Sequence, residues 1–78
     1  MIFEEICVII ADVFSVDEST LEMGTSFVED LGADSLDLVE IMMAIEEEYD
    51  IDQIEEDVVE NIKTIGEAVR VIQEIIGE

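Results

Sequence analysis

The chain is 78 residues long and half of it is hydrophobic; its 23 Asp and Glu residues against 2 Lys and Arg give a formal net charge of −21. A chain of this length forms one small domain, and a field this negative repels phosphate backbones and anionic lipid. Nucleic-acid binding and charge-driven membrane attachment are therefore disfavoured, and we expect basic protein surfaces as partners. No apolar stretch approaches the roughly 18 residues of a membrane span and no signal peptide is visible, so we expect a cytoplasmic protein.

The spacing of apolar residues indicates an all-α fold, since they recur every three or four positions in a chain with no Pro and 4 Gly. A first helix is predicted near residues 2–14. Its apolar stripe consists of Phe3, Ile6, Cys7, Ile10, Val13 and Phe14. Because Cys7 lies within this stripe, we interpret the single cysteine as a small buried hydrophobe, and it has no partner for an internal disulfide.

Residues 15–34 break the helical periodicity and are rich in Ser, Thr, Asp and Gly. A structureless connection of about twenty residues is long for a compact domain. We therefore predict an ordered loop that contains a short helical turn at residues 16–21. Five apolar side chains are expected to pin this loop over the helices: Val16, Leu21, Phe27, Val28 and Leu31.

The second helix is predicted to begin at Ser35 and to end near Tyr49, and it carries two apolar stripes instead of one. One stripe has the composition of a core face: Leu38, Ile41, Met42, Ile45 and Tyr49. The other points well over 100° away around the helix and is edged by acidic residues. It consists of Leu36, Val39 and Met43, and it requires an explanation other than the core.

The last third of the chain predicts two more helices. An acidic stretch at residues 50–57 leads into a short third helix, inferred from the apolar residues Val58, Val59 and Ile62. Thr64 and Glu67 form a capping box that opens a final helix near residues 65–76, which Gly77 ends. The core face of this helix is Ile65, Ala68, Val69, Ile72 and Ile76. The fold class is thus a small four-helix bundle, three helices longer and one short, with a long ordered loop between the first two.

The residue inventory argues against an enzyme and against a specific metal site. Without His and with few cations, no nucleophile and base can be paired, and a core this small offers little shelter to raise a carboxyl pKa. Asp50 and Asp52 resemble the start of a calcium-binding loop. However, Ile54 stands at a ligand position and Glu55 stands where that loop requires Gly. Loose binding of divalent cations by the clustered carboxylates stays open.

Ser35 allows two interpretations. Serine is a favoured N-cap, so Ser35 could simply cap the second helix. Alternatively, Gly32 allows a tight turn before the helix, Asp34 and Asp37 flank the serine with negative charge, and the second apolar stripe begins beside it at Leu36. That combination favours an attachment point presented to other proteins, and a separate enzyme would have to modify it because the chain supplies no base.

The residues around Ser35 resemble the phosphopantetheine attachment motif of acyl carrier proteins, with Asp34-Ser35-Leu36 at its centre and FVEDLGADSLD as the matching segment at residues 27–37. The resemblance continues along the second helix to Asp50. Length, acidity and the order of four helices agree over essentially the whole chain, so residues 1–78 are expected to form a single acyl carrier domain. The chain departs from the family pattern at Glu55, where many members have Pro, and by about one extra residue in the segment 51–53.

The resemblance implies that Ser35 carries 4′-phosphopantetheine, transferred from coenzyme A by a phosphopantetheinyl transferase, and that the thiol of this arm holds acyl groups as thioesters. It implies contacts with basic patches on that transferase and on ketoacyl synthases, reductases, dehydratases and acyltransferases. The implied partner-binding residues are Asp34, Leu36, Asp37, Val39, Glu40, Met43, Glu46 and Glu47. The implied lining of an acyl cavity is Phe27, Leu38, Met42, Ile45, Ile54, Ile62 and Ala68.

The function expected from the resemblance is that of a discrete acyl carrier in fatty acid synthesis, and the shuttle role and the negative charge favour a monomer. A carrier of a specialised pathway, whether polyketide, peptidyl or D-alanyl, shares the same serine chemistry and is the first alternative. An unmodified acidic helical adaptor, in which Ser35 only caps the helix, is the second.

Overall fold

The structure, a computed structural model, describes residues 2–52 and 54–77 and contains four α-helices over that part of the chain. They are α1 (Ile2–Phe14), α2 (Ser35–Tyr49), α3 (Glu56–Asn61) and α4 (Ile65–Ile76). A 3₁₀ turn at Glu18–Thr20 lies in the loop between α1 and α2, where the sequence predicts a helical turn. The all-α prediction is confirmed, with the helices in the predicted order. The predicted extra residue near Gln53 falls partly outside the described residues.

The core is formed by one apolar stripe from each helix, together with residues of the long loop. α1 packs against both α2 and α4, and α3 packs against α2. Within the described residues no polar or charged side chain is buried, and each fully buried aliphatic side chain contributes roughly 1.5–3 kcal/mol. The largest fully buried side chains are Phe27, Ile6, Ile10, Ile41, Ile45, Ile65 and Ile72. Cys7 is 4% exposed, which confirms its assignment to the core.

The ends of α4 follow the predicted signals. The Glu67 backbone N–H donates to Oγ1 of Thr64 at 3.2 Å and the Thr64 N–H donates to Oε1 of Glu67 at 3.1 Å, so the predicted capping box is confirmed. Gly77 ends the helix with a φ of 80°, a left-handed conformation that suits glycine. No helix in the described ranges has the length and hydrophobicity needed to cross a membrane.

The long loop is ordered because its backbone pairs with the chain just before and within the first turn of α4. The Phe27 N–H donates to the Lys63 carbonyl at 3.0 Å, and the Ile65 N–H donates to the Thr25 carbonyl at 3.1 Å. These bonds flank an isolated bridge between Ser26 and Thr64. The loop therefore has backbone partners that no helical or alternating pattern in the sequence could reveal.

Only some of the predicted loop anchors are correct. Leu21 and Phe27 are buried and Leu31 packs partly against the core, as predicted. Val16 and Val28 are 36% and 59% exposed, so the prediction that they pin the loop is wrong. The segment is held instead by its backbone hydrogen bonds to residues 63–66 and by the buried side chains Leu21, Phe27 and Ala33.

Gly66 illustrates how closely the loop approaches α4. Its N–H donates to the Met23 carbonyl oxygen at 2.8 Å, and a Cβ at this position would lie 2.9 Å from the same oxygen. Alanine normally stabilises a helix by about 1 kcal/mol relative to glycine, but here a backbone atom is in the way. We expect Gly66→Ala to lower the free energy of unfolding, measured by urea denaturation with circular dichroism.

Gly24→Ala provides the matched control, because a Cβ added at this residue would have no atom within 4 Å and the φ is compatible with alanine. We expect it to leave stability unchanged or to raise it by about 0.4–1 kcal/mol. A Gly66→Ala protein as stable as the original would contradict this prediction, because it would show that the loop at Met23 can shift away from the new Cβ without lowering the free energy of unfolding.

Candidate functional site

Ser35 is the first residue of α2, but it does not cap the helix. The N-cap is Asp34: the Asp37 N–H donates to Oδ1 of Asp34 at 2.9 Å, and the Asp34 N–H donates to Oδ2 of Asp37 at 3.2 Å. The interpretation of Ser35 as the N-cap is therefore wrong, because the neighbouring carboxylate already fills that role. The alternative of an unmodified adaptor, in which Ser35 serves only as the helix cap, therefore loses its structural basis.

The hydroxyl of Ser35 is left exposed and unengaged. Over residues 2–52 and 54–77, no hydrogen bond involves Ser35 Oγ, and the side chain lies on the surface. With the helix start stabilised by Asp34 and Asp37, a group attached to this oxygen would cost the fold no internal bond. The oxygen is thus free to be esterified by a bulky, flexible group.

The turn before α2 holds this serine in place. Gly32 has a φ of 68°, which confirms the predicted tight turn and which glycine adopts without strain. Next to it, the Ala33 N–H donates to the Phe27 carbonyl at 2.8 Å and the Ala33 side chain is buried. Ser35 therefore projects from a segment fixed to the core on one side and from a capped helix on the other.

The second apolar stripe of α2 is exposed, as its separation from the core stripe predicts. Leu36 is 75% exposed, Val39 44% and Met43 61%. Five carboxylates and no basic residue accompany them on the helix: Asp37, Glu40, Glu46, Glu47 and Glu48. The result is an apolar strip that starts beside Ser35 and has negative charge along its length.

A groove of about 500 Å³ lies between α2 and the segment that contains α3. Val39 and Met43 of the exposed stripe form one side of it, and the buried residues Met42, Ile54 and Val59 form its inner wall. Glu46, Asp52 and Glu56 supply its polar lining. The groove thus connects the exposed stripe with the core.

The seven residues predicted to line an acyl cavity all lie in the core or pack directly against it. Met42 and Ile54 also line the groove. Phe27, Ile45, Ala68 and Ile62 are also buried but do not line the groove, and Leu38 is half-buried. Met42 and Ile54 are therefore the two residues of this set that lie both in the core and at the groove.

The start of α3 keeps its geometry despite the departure from the family pattern at Glu55. The φ of Glu55 is −61°, within the range that proline would impose, and α3 begins at the next residue. The helix ends at Asn61, so Ile62, predicted within the third helix, is its C-cap, and it is buried. Sequence reasoning missed one contact here: the carboxylate of Glu46 accepts a hydrogen bond from the Ile54 N–H at 2.6 Å. No local pattern signals it, because the two residues meet only through the fold.

Comparison with known proteins identifies the family. Residues 4–72 match the family described as "Phosphopantetheine attachment site". The chain is 51% identical over 76 residues to an acyl carrier protein of Picosynechococcus sp., which covers 97% of this chain and 93% of the relative. The chain belongs to the acyl carrier protein family. An acyl carrier protein of Clostridium acetobutylicum is 45% identical over 73 residues, 94% of each chain, and one of Phenylobacterium zucineum is 45% identical over 76 residues, 97% and 95%.

Membership confirms the resemblance and settles the class of chemistry. An acyl carrier protein is a carrier and not an enzyme, and its prosthetic group is a covalently attached 4′-phosphopantetheine. The surface fits this group, since an exposed hydroxyl without internal partners lies at the start of a capped helix. Interaction with fatty acid synthesis enzymes and with a phosphopantetheinyl transferase follows from the same identity.

The cap at Asp34 can be tested apart from the attachment chemistry. Asp34→Ala removes the acceptor for the Asp37 N–H, so we expect the free energy of unfolding to fall by about 1 kcal/mol, within a range of roughly 0.5–2. Asp34→Asn is the matched control, because it removes the charge but keeps a side-chain oxygen at the cap. Urea denaturation of both variants gives the comparison. Equal losses would assign the effect to charge and not to the cap.

Proposed function

We propose that Ser35 is the attachment residue, and that residues 1–78 form a single acyl carrier domain that delivers growing acyl chains to the enzymes of fatty acid synthesis. The observation that carries the proposal is the exposed, unbonded hydroxyl of Ser35 at the start of a helix capped by its neighbour Asp34. The resemblance at residues 27–37 supports the same position. In the loading step Ser35 Oγ bonds to the pyrophosphate phosphorus of coenzyme A that bears the pantetheine, the bond from this phosphorus to the bridging oxygen breaks, and adenosine 3′,5′-bisphosphate leaves with that oxygen. A base on the transferase takes the hydroxyl proton.

The partner surface is proposed to be the outward side of α2, called here the docking face. It consists of Asp34, Leu36, Asp37, Val39, Glu40, Met43, Glu46 and Glu47. Its charge is uniformly negative and its apolar strip is exposed, which suits enzymes with a basic rim around a small apolar patch. Such pairing speeds encounter and gives salt-sensitive binding, as a carrier that must leave each enzyme requires.

The groove between α2 and α3 is proposed as the entrance for the acyl chain. Its inner wall is apolar, and Met42 is a flexible side chain that can move aside for a guest. The predicted cavity residues Phe27, Leu38, Ile45, Ile62 and Ala68 would then surround the chain deeper in the core. A growing chain would be sheltered from water by displacement of side chains in an already apolar interior.

We further propose that the carrier acts as a monomer in the cytoplasm. A formal net charge of −21 on 78 residues opposes the close approach of two copies. The proposed partners are the phosphopantetheinyl transferase and the ketoacyl synthases, reductases, dehydratases and acyltransferases of the pathway.

The proposed function is tested by loading. The purified chain is incubated with coenzyme A and a broad-specificity phosphopantetheinyl transferase, and the intact mass is measured. We expect a gain of one phosphopantetheine, located by peptide mapping on the peptide that contains Ser35. A chain that gains no mass, or gains it on a peptide without Ser35, would overturn the proposal.

A further inference from the structure

The exposed apolar stripe of α2 ends at a methionine. Met43 is 61% exposed and follows Leu36 and Val39 on the outward side of the helix. Its neighbour Met42 belongs to the core and is 2% exposed, because one step along an α-helix turns the side chain by about 100°. Two adjacent thioethers of the same chemistry therefore have opposite surroundings, one of them water and the other the apolar interior.

Met43 is also the most exposed sulfur-containing residue within residues 2–52 and 54–77. The full chain has four Met and one Cys. Of those that the structure describes, Cys7 and Met42 are buried, and Met23 in the long loop is 49% exposed. A small oxidant in solution thus reaches the thioethers of Met43 and Met23 more readily than the thiol of Cys7, although a thiol is ordinarily the more reactive group once it ionises.

Hydrogen peroxide converts a thioether to a sulfoxide in one two-electron step. The sulfur lone pair of Met43 bonds to one peroxide oxygen while the O–O bond breaks, and the proton on the transferred oxygen passes to the departing hydroxide. The products are methionine sulfoxide and water. Methionine sulfoxide reductases reverse the change with electrons from a pair of thiols, which becomes a disulfide while the oxygen leaves as water.

A sulfoxide at Met43 would change the polarity of the docking face without changing its charge. The apolar strip of that face has three members, Leu36, Val39 and Met43, and a polar oxygen on one of them loses hydrogen bonds to water when an apolar patch covers it. The carboxylates that steer encounter stay as they are. Met43 is eight residues from Ser35, about 12 Å along the helix, so the attachment oxygen is not touched.

We propose that Met43 is a reversible oxidation site, and that its conversion to the sulfoxide by hydrogen peroxide weakens the docking of partner enzymes while the fold and the attachment residue stay intact. The inference rests on the proposed docking face. Met23 is also exposed but does not belong to that face, so its oxidation leaves docking unchanged and serves as a reference within the same molecule.

The modification site is tested on the unmodified full chain. The protein is treated with hydrogen peroxide, catalase removes the excess, and tandem mass spectrometry assigns the added oxygen to individual methionines. We expect Met43 and Met23 to be oxidised at least about tenfold faster than Met42, with an unchanged circular dichroism spectrum. Oxidation of Met42 as fast as Met43, or loss of helical signal on oxidation of Met43, would overturn the proposed site.

The effect on docking is measured as the KM of a phosphopantetheinyl transferase for the carrier, before and after peroxide treatment. We expect KM to rise at least about fivefold and kcat to change by less than about twofold, because the lost contact is apolar and distant from Ser35. Methionine sulfoxide reductases should restore the original KM. An unchanged KM after complete oxidation of Met43, or a rise that the reductases do not reverse, would overturn the inference. Loading of the untreated chain reports separately on the proposed function.

Three variants assign the effect to one sulfur. Met43→Leu keeps an apolar side chain without a thioether, so its KM, whatever the starting value, should not respond to peroxide. Met23→Leu should respond as fully as the original chain. Met43→Gln, which is polar and uncharged, should show a raised KM without peroxide. A response that persists in Met43→Leu, or that disappears in Met23→Leu, would contradict the assignment to Met43.

Discussion

Replacing Ser35 with alanine is expected to abolish the gain of one phosphopantetheine completely, while the fold stays intact. The substitution removes a single oxygen atom that makes no hydrogen bond within the described residues, and the helix start is secured by Asp34 and Asp37. We therefore expect the free energy of unfolding to change by less than about 0.5 kcal/mol. Intact mass after incubation with coenzyme A and the transferase measures the first effect, and urea denaturation measures the second.

Ser19→Ala is the matched control for this loss. Ser19 is also an exposed serine, but its hydroxyl donates to Oδ1 of Asp17 at 2.8 Å and lies in the 3₁₀ turn away from α2. We expect full loading of that variant. If the Ser35→Ala protein still gained the mass of one phosphopantetheine, the group would have to be attached to another residue, and the assignment of Ser35 would be wrong.

Phe27→Ala is expected to cause the largest loss of stability, about 3–5 kcal/mol. Phe27 is the largest fully buried side chain, and its backbone bonds to Lys63 on one side and to Ala33 on the other. For a chain of this length the total stability is only of the order of 4–12 kcal/mol, so the loss removes a quarter or more of it, and a protein at the lower end of that range would largely unfold. Because Phe27 fixes the turn that leads to Ser35, loading should decline together with folding.

The neighbouring Val28 gives the comparison, since it is 59% exposed. Val28→Ala should change the free energy of unfolding by no more than about 0.5 kcal/mol in the same urea experiment. A Phe27→Ala protein within about 1 kcal/mol of the original would mean that the loop is held by its backbone bonds alone.

The sequence predicts the helices well because their signals are local. The capping box of Thr64 and Glu67 and the stop at Gly77 act within one or two turns, and the structure places the ends of α4 where these signals indicate. At the start of α2, by contrast, Asp34 and Ser35 are both good caps. Composition cannot choose between adjacent cap formers, and the choice is decided by which side chain reaches the Asp37 N–H.

The remaining errors and omissions concern contacts between distant parts of the chain. Val16 and Val28 are apolar and yet exposed, because a loop has no periodicity that would tell an inward side chain from an outward one. The contact of Gly66 with Met23 and the bond from Ile54 to Glu46 are likewise created by packing. The resemblance at residues 27–37 predicts Ser35 as the attachment residue, but the exposure of its hydroxyl and the groove beside α2 are visible only in the structure.

The burial of Cys7 has a consequence for a protein whose cargo is carried on a thiol. The chain has one cysteine; it is 4% exposed, and burial raises the pKa of its thiol, with the carboxylates of Glu18 and Glu4 raising it further. Thioester exchange requires an accessible thiolate, so Cys7 is a poor acceptor for acyl groups and a poor partner for disulfides. The thiol at the end of the prosthetic arm is then the one thiol of the loaded protein that is suited to thioester exchange. An acyl group on the arm is therefore protected from transfer to Cys7 while it travels between enzymes.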